Sequence, residues 1–154
     1  MSIQNDVNFY QKNLDSIIGG KLDQFYFASA TLMLGFGNMI QIELFDGRKR
    51  VVSRYSIHVQ CYWEIYDNDE LVLSYDDAVY TEYQELCRLA DSLYFDKFQG
   101  IFVEGVKVCE NFSLEIYLSK NKRILIFTTP DDEAENWRFI DFEKDTHIVF
   151  PEDI

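Results

Sequence analysis

Two histidines and three cysteines are the side chains of this sequence best suited to metal binding or covalent catalysis. His58 and Cys61 lie three residues apart on a predicted strand, where residues at that spacing point to opposite faces of the sheet. A zinc site needs about four converging ligands, and no Cys-x-x-Cys motif supplies the others. The sequence therefore predicts no metal site and no bound cofactor.

Nucleophilic catalysis requires a serine or cysteine beside a histidine that an acid orients. His147 could approach Cys61 or Cys109 in the folded chain, but no nucleophile-elbow sequence accompanies them. Gly35 and Gly37 lack the further glycine of a phosphate-binding loop, and we expect them to form a turn. We therefore predict no catalytic residue and no enzymatic activity.

Carboxylates are the most abundant reactive groups of the chain. Its 154 residues include 27 Asp and Glu against 14 Lys and Arg, which gives a net charge of −13. The acids concentrate in two stretches: seven lie from Asp67 to Glu85, with no Lys or Arg, and nine lie from Asp131 to Asp153. A glycosidase needs only two carboxylates, so an enzyme with a dispersed carboxylate site stays open as an alternative.

An acidic surface of this kind favours a basic protein as the partner. It repels nucleic acid and anionic lipid, which are bound through Lys and Arg, and it accelerates encounter with a basic surface. The alternative is that the charge serves solubility alone. The predicted contact residues of the first stretch are Asp67, Asp69, Glu70, Asp76, Asp77 and Glu82. Those of the second are Asp131, Asp132, Glu133 and Glu135.

Most aromatic residues are predicted to be core, and three tyrosines of the acidic stretch are the expected exceptions. Tyr66, Tyr75 and Tyr80 stand among carboxylates, a combination that suits an interface receiving Lys and Arg.

Length and cysteine use predict a single domain spanning residues 1–154 in a reducing compartment. The three cysteines are odd in number and widely spaced, which is not a disulfide framework. The first residues lack a signal-peptide pattern, and the longest apolar run is too short for a membrane span. We therefore expect a cytoplasmic protein with free thiols and no membrane partner.

The first half of the chain predicts one helix followed by strands. Asn5 or Asp6 can cap a helix that runs to about Ile18. Two strands, residues 25–34 and 39–45, are predicted to form a hairpin around the turn at residues 35–38. One long strand is expected from about Val51 to Tyr66, and a further turn at Asn68 and Asp69 leads into the apolar residues 71–73.

The second half predicts one more helix and then strands alone. Thr81 is the expected cap of a helix that ends near Phe98. The later strands are predicted at residues 101–108, 112–118, 123–128, 137–142 and 147–150. Because the turns are short and the helices few, we predict the α+β class, with a mostly antiparallel, twisted sheet and two helices packed on it.

Two groups of segments resemble a family of small bacterial proteins. The first is residues 56–65, SIHVQCYWEI. The second combines residues 114–118 (LEIYL), 124–127 (ILIF), 135–139 (ENWRF) and 147–149 (HIV). Some members of that family resemble immunity proteins of bacterial toxin systems, including contact-dependent inhibition. In this sequence Glu64 follows Trp63, where the family pattern has an arginine.

The resemblance and the charge together suggest an immunity protein. Such a protein binds a cognate toxin domain, and the cleft of a nuclease toxin must be basic because its substrate is a polyanion. Carboxylates laid over that cleft would imitate the substrate's phosphates. A cytosolic interaction module whose charge serves solubility is the second hypothesis, and the dispersed-carboxylate enzyme is the third.

Overall fold

The computed structural model describes residues 6–129 and 134–151 and begins with a capped helix. Helix α1 covers Val7–Leu14, and the Asp6 side chain accepts a hydrogen bond from the Asn8 amide at 2.9 Å. A 3₁₀ turn, Asp15–Ile17, completes the predicted helix, so the expected start and end are confirmed. The buried face of α1 is apolar.

The described residues form ten strands in two antiparallel sheets. The first sheet has the order β1-β2-β3-β9-β10, with β1 Leu22–Ala28, β2 Thr31–Glu43, β3 Lys49–Val59, β9 Trp137–Asp141 and β10 Thr146–Phe150. The second has the order β5-β4-β8-β7-β6, with β4 Tyr62–Asp67, β5 Glu70–Ser74, β6 Val103–Val108, β7 Leu114–Leu118 and β8 Lys122–Phe127. The α+β class and the antiparallel pairing are thus confirmed, while the strands divide between two sheets instead of forming one.

Two helices follow β5, where one was predicted. They are α2, Tyr75–Tyr80, and α3, Tyr83–Leu93, which continues into a π-helical segment, Tyr94–Phe98. Thr81 is not the cap that we predicted: its amide closes the end of α2 on the Asp77 carbonyl at 3.0 Å. Glu82 caps α3 instead, because its carboxylate accepts hydrogen bonds from the amides of Gln84 and Glu85.

The predicted hairpin turn at residues 35–38 is wrong, because β2 runs straight through it. The β1–β2 hairpin turns earlier, at Ser29, whose φ is 57°. A Cβ on Gly35 would lie 2.5 Å from the Ser53 hydroxyl oxygen, and Gly37, with φ +90°, lies at a register shift in the β2–β3 pairing. These glycines therefore mark a close strand approach and a β-bulge.

The predicted strand from Val51 to Tyr66 is two strands. The chain leaves the first sheet after Val59 and enters the second at Tyr62, and the Gln60 amide donates to the Asn136 carbonyl at 2.8 Å in between. The inward alternation nevertheless continues without interruption, since Val59, Cys61 and Trp63 are all buried. Because the alternation of buried and outward residues is unbroken, the sequence does not reveal where the chain changes sheets.

In the described ranges one apolar cluster joins the inward-facing residues of both sheets with buried residues of α1 and α3. Trp63 of β4 packs against Phe27 of β1, with ring centroids 5.8 Å apart. Tyr10 of α1 makes an edge contact with Trp137 of β9 at 5.4 Å. The later strands lie within two residues of their predicted bounds. No helix in the described ranges is long and apolar enough to cross a membrane.

We expect Trp63→Ala to lower the free energy of unfolding by about 3–5 kcal/mol, because the fully buried indole would leave a cavity between the sheets. Urea denaturation measures the loss. Trp63→Phe is the matched control: no described residue accepts a hydrogen bond from the Trp63 indole N–H, so a smaller aromatic ring should lose much less. Equal stability of Trp63→Ala and wild type would contradict the described core.

Candidate functional site

Asp67, the first predicted contact residue, forms an internal ion pair. Its carboxylate lies 3.1 Å from the Lys122 ammonium and 3.3 Å from that of Lys97. The side chains of Asp67 and Lys122 are only 12% and 9% exposed. Lys122, ahead of any other group, holds the pKa of Asp67 below its ordinary value. Asp67 thus has a structural partner inside the protein.

Four more predicted contact residues are also engaged inside the chain. Asp77 accepts from the Ser74 amide at 2.8 Å, and Glu82 caps α3. Asp69 lies 3.3 Å from the Arg123 guanidinium. Glu135 lies 2.7 Å from the guanidinium of Arg138.

Two predicted residues remain exposed with no ion pair in the described ranges, Glu70 and Asp76. Asp131, Asp132 and Glu133 lie outside the described residues. That any of these acids contacts a partner stays a prediction. The internal pairs nevertheless show that counting acids overstates the charge available to a ligand.

No hydrogen bond joins a cysteine to a histidine among the described residues. The three cysteines are free, and burial raises the pKa of the Cys61 thiol to about 12. Cys61 is buried while His58 is half-exposed on the opposite face, as predicted from their spacing. No group of three or more metal-ligating side chains occurs in residues 6–129 and 134–151.

A more ordered carboxylate lies on the outer face of the second sheet, at Glu64. The Tyr62 hydroxyl donates to one carboxylate oxygen at 3.1 Å, and the Tyr66 hydroxyl donates to the other at 2.9 Å. Glu64 is half-buried and forms no ion pair with any residue that the structure describes. The hydrogen bond to Glu64 also raises the pKa of Tyr66. The two tyrosines therefore fix the direction of an anion that has no ion-pair partner among the described residues, although Arg123 lies on the same face against the Tyr66 ring.

A second carboxylate–tyrosine pair lies across the same face. Glu64 and Glu115 both stand opposite Leu125, so all three share one side of the sheet. The Tyr117 hydroxyl donates to Glu115 at 2.6 Å and, with the Cys109 thiol, lowers the pKa of that carboxyl. We call Tyr62, Glu64, Tyr66, Glu115 and Tyr117 the tyrosine–carboxylate face.

Aromatic rings surround Glu64. Tyr75 and Phe127 lie 5.9 and 5.8 Å from the ring of Tyr62, and Phe127 is 39% exposed. The Arg123 guanidinium stacks 4.6 Å from the Tyr66 ring centroid. These rings produce a shallow, partly apolar surface around a charged centre.

The predicted contact residues do not include Glu64, because they come from stretches where acids are close together in sequence. The signal was present in the alternation of Tyr62, Glu64 and Tyr66, and again in Glu115 and Tyr117, which places each set on one face of a strand. Of the three tyrosines predicted to lie outside the core, Tyr66 belongs to this face and Tyr75 adjoins it. Tyr80 is 85% exposed.

Comparison with known proteins identifies no relative, since no family model, no curated protein and no solved structure matches the chain.

We expect Asp67→Asn to cost about 3 kcal/mol at pH 7, because it leaves the nearly buried Lys122 without its anion. The lowered pKa of Asp67 means that its contribution is complete above the unfolded-state pKa, about 3.9, and is lost as the pH falls through the folded-state pKa. The difference from wild type should therefore shrink below about pH 4. Urea denaturation at pH 7 and pH 3 measures it.

Glu70→Gln is the matched control, since Glu70 is exposed at the same end of the hairpin and has no ion pair among the described residues. It should leave stability within about 0.5 kcal/mol of wild type. Equal losses in the two variants would contradict the internal role of Asp67.

Proposed function

We propose that the protein is a binding protein of the immunity type, which captures a basic protein and blocks it. The partner class is a toxin domain with a nucleic-acid cleft, whose Lys and Arg side chains bind phosphate. The observation that carries the proposal is the Glu64 carboxylate, fixed by two tyrosines and without an ion-pair partner in the described part of the chain.

Such a carboxylate suits a guanidinium or ammonium group from outside. Its hydrogen bonds from Tyr62 and Tyr66 orient it in advance, so little entropy is lost when a cation arrives. A Lys or Arg there would form charge-assisted hydrogen bonds, and the neighbouring rings could add cation–π attraction. Tyr and Arg are also the residues that dominate binding energy in interfaces.

The other exposed acids would attract a basic partner over a distance. Glu70 and Asp76 are exposed. Desolvation and then Glu64 raise the pKa of Tyr62, and Asp76 is close enough to add a smaller contribution. With a net charge of −13, the protein attracts a basic partner over distance and speeds association, particularly at low salt. The hypothesis of charge for solubility alone accounts for exposed acids, but it gives no reason to orient a half-buried carboxylate.

Glu64→Lys should abolish protection in a co-expression assay with the toxin domain that this proposal expects to be encoded beside the gene. Loss of a buried interfacial charge pair costs at least about 2 kcal/mol, which weakens binding about thirtyfold or more. Growth of the producing cells reports protection, and calorimetry on the purified pair reports affinity.

Asp91→Lys is the matched control, because it makes the same charge change at an exposed site of α3. It should protect as well as wild type, and thermal melts should show both variants folded. A folded Glu64→Lys variant that protects fully would remove Glu64 from the interface. A wild-type protein that gives no protection would refute the immunity function.

A further inference from the structure

A second polar cluster, independent of the tyrosine–carboxylate face, lies on the outer face of the first sheet. The chain has two histidines, and both are found there. His58 on β3 stands directly opposite Arg138 on β9, and the Nδ1 atom of His147 on β10 lies 3.2 Å from the Arg138 NH1 atom. Three strands thus bring two imidazoles to one guanidinium.

Arg138 is held rigidly in this cluster. Its Nε and NH2 atoms donate to one Glu135 oxygen at 3.2 and 2.7 Å, and Gln60 donates to the other oxygen at 2.9 Å. The Arg138 side chain is 31% exposed, while that of Glu135 is 19% exposed. Glu135 therefore fixes the Arg138 guanidinium, and part of the guanidinium stays open to solvent.

Hydrogen-bond donors remain on that open side. A guanidinium has five N–H groups, and contacts to Glu135 and His147 occupy three of those on Arg138. Because NH1 can only donate, His147 must accept through Nδ1 and carry its proton on Nε2. Neither ring nitrogen of His58 has a hydrogen-bond partner within the described ranges.

Free N–H donors beside a fixed guanidinium favour a small anion as the ligand. Desolvation first, and then Arg138 and His147, lower the pKa of His58, while Glu135 opposes them. The His58 imidazole is then a neutral donor, and Glu135 balances the charge of Arg138. An oxyanion that arrives at this point gains donors from three side chains and favours protonation of His58.

We propose that His58, Arg138 and His147 form a binding site for a small phosphate-type oxyanion, free or as the terminal group of a small molecule. Anchored arginine with flanking imidazoles matches the several acceptor oxygens of a tetrahedral oxyanion. A long polyanion is disfavoured, because 27 acids against 14 Lys and Arg repel a chain of phosphates.

Histidine C2–H NMR signals test this site directly, because both histidines of the chain belong to it. Inorganic phosphate and phenyl phosphate are titrated at constant ionic strength, with chloride as the reference anion. Both signals should shift saturably, and the midpoint of the His58 pH titration should rise when the anion is bound. Arg138→Gln should weaken binding about tenfold or more, the usual scale for losing hydrogen bonds to a charged group.

Lys144→Gln is the matched control: it removes one positive charge from an exposed residue in the β9–β10 turn and should leave binding unchanged. His147→Gln keeps the Arg138–Glu135 pair and should weaken binding several-fold in a folded protein. The site is refuted if the signals do not saturate, if both arginine and lysine variants lose binding equally, or if His147→Gln binds like wild type. A stronger response to a short RNA than to phosphate would refute the small-anion assignment.

Discussion

The alternation of side chains through one segment, from His58 to Tyr66, is the constraint on which both candidate sites depend. Val59, Cys61 and Trp63 must stay in the core, and they do so although the chain changes sheets between Val59 and Tyr62. The intervening residues are therefore forced outward on whichever sheet they occupy. His58 consequently joins the polar cluster of the first sheet, and Glu64 joins the tyrosine–carboxylate face of the second.

Charge in this protein divides into structural and available parts. Asp67 neutralises the nearly buried Lys122, Glu82 caps α3, and Glu135 anchors Arg138. These acids contribute to stability and orientation, so the net charge of −13 is not a measure of ligand affinity. Glu64 differs because it neither pairs with a cation nor caps a helix among the described residues, and two neutral tyrosine hydroxyls orient it without cancelling its charge.

Local patterns predicted what depends on neighbours in sequence, including the Asp6 cap, the Asn68–Asp69 turn and the half-buried strand around Ile116. They failed at Gly35, because glycine marks both turns and close strand approaches, and only the position of Ser53 distinguishes the two. The tyrosines beside Glu64 and Glu115 could have been predicted, because residues two apart on a strand share one face. The meeting of His58 with Arg138 and His147 could not, because it follows from non-local pairing of β3, β9 and β10.

The central claim is that one oriented carboxylate, not a diffuse acidic field, receives a basic group. Chemical-shift mapping with a short arginine-rich peptide, at physiological salt, separates these two possibilities. The account predicts saturable shifts centred on Tyr62, Glu64 and Tyr66, which disappear in Glu64→Gln and are absent with a glutamate-rich peptide. Weak shifts spread over all exposed acids, unchanged by Glu64→Gln, would contradict it.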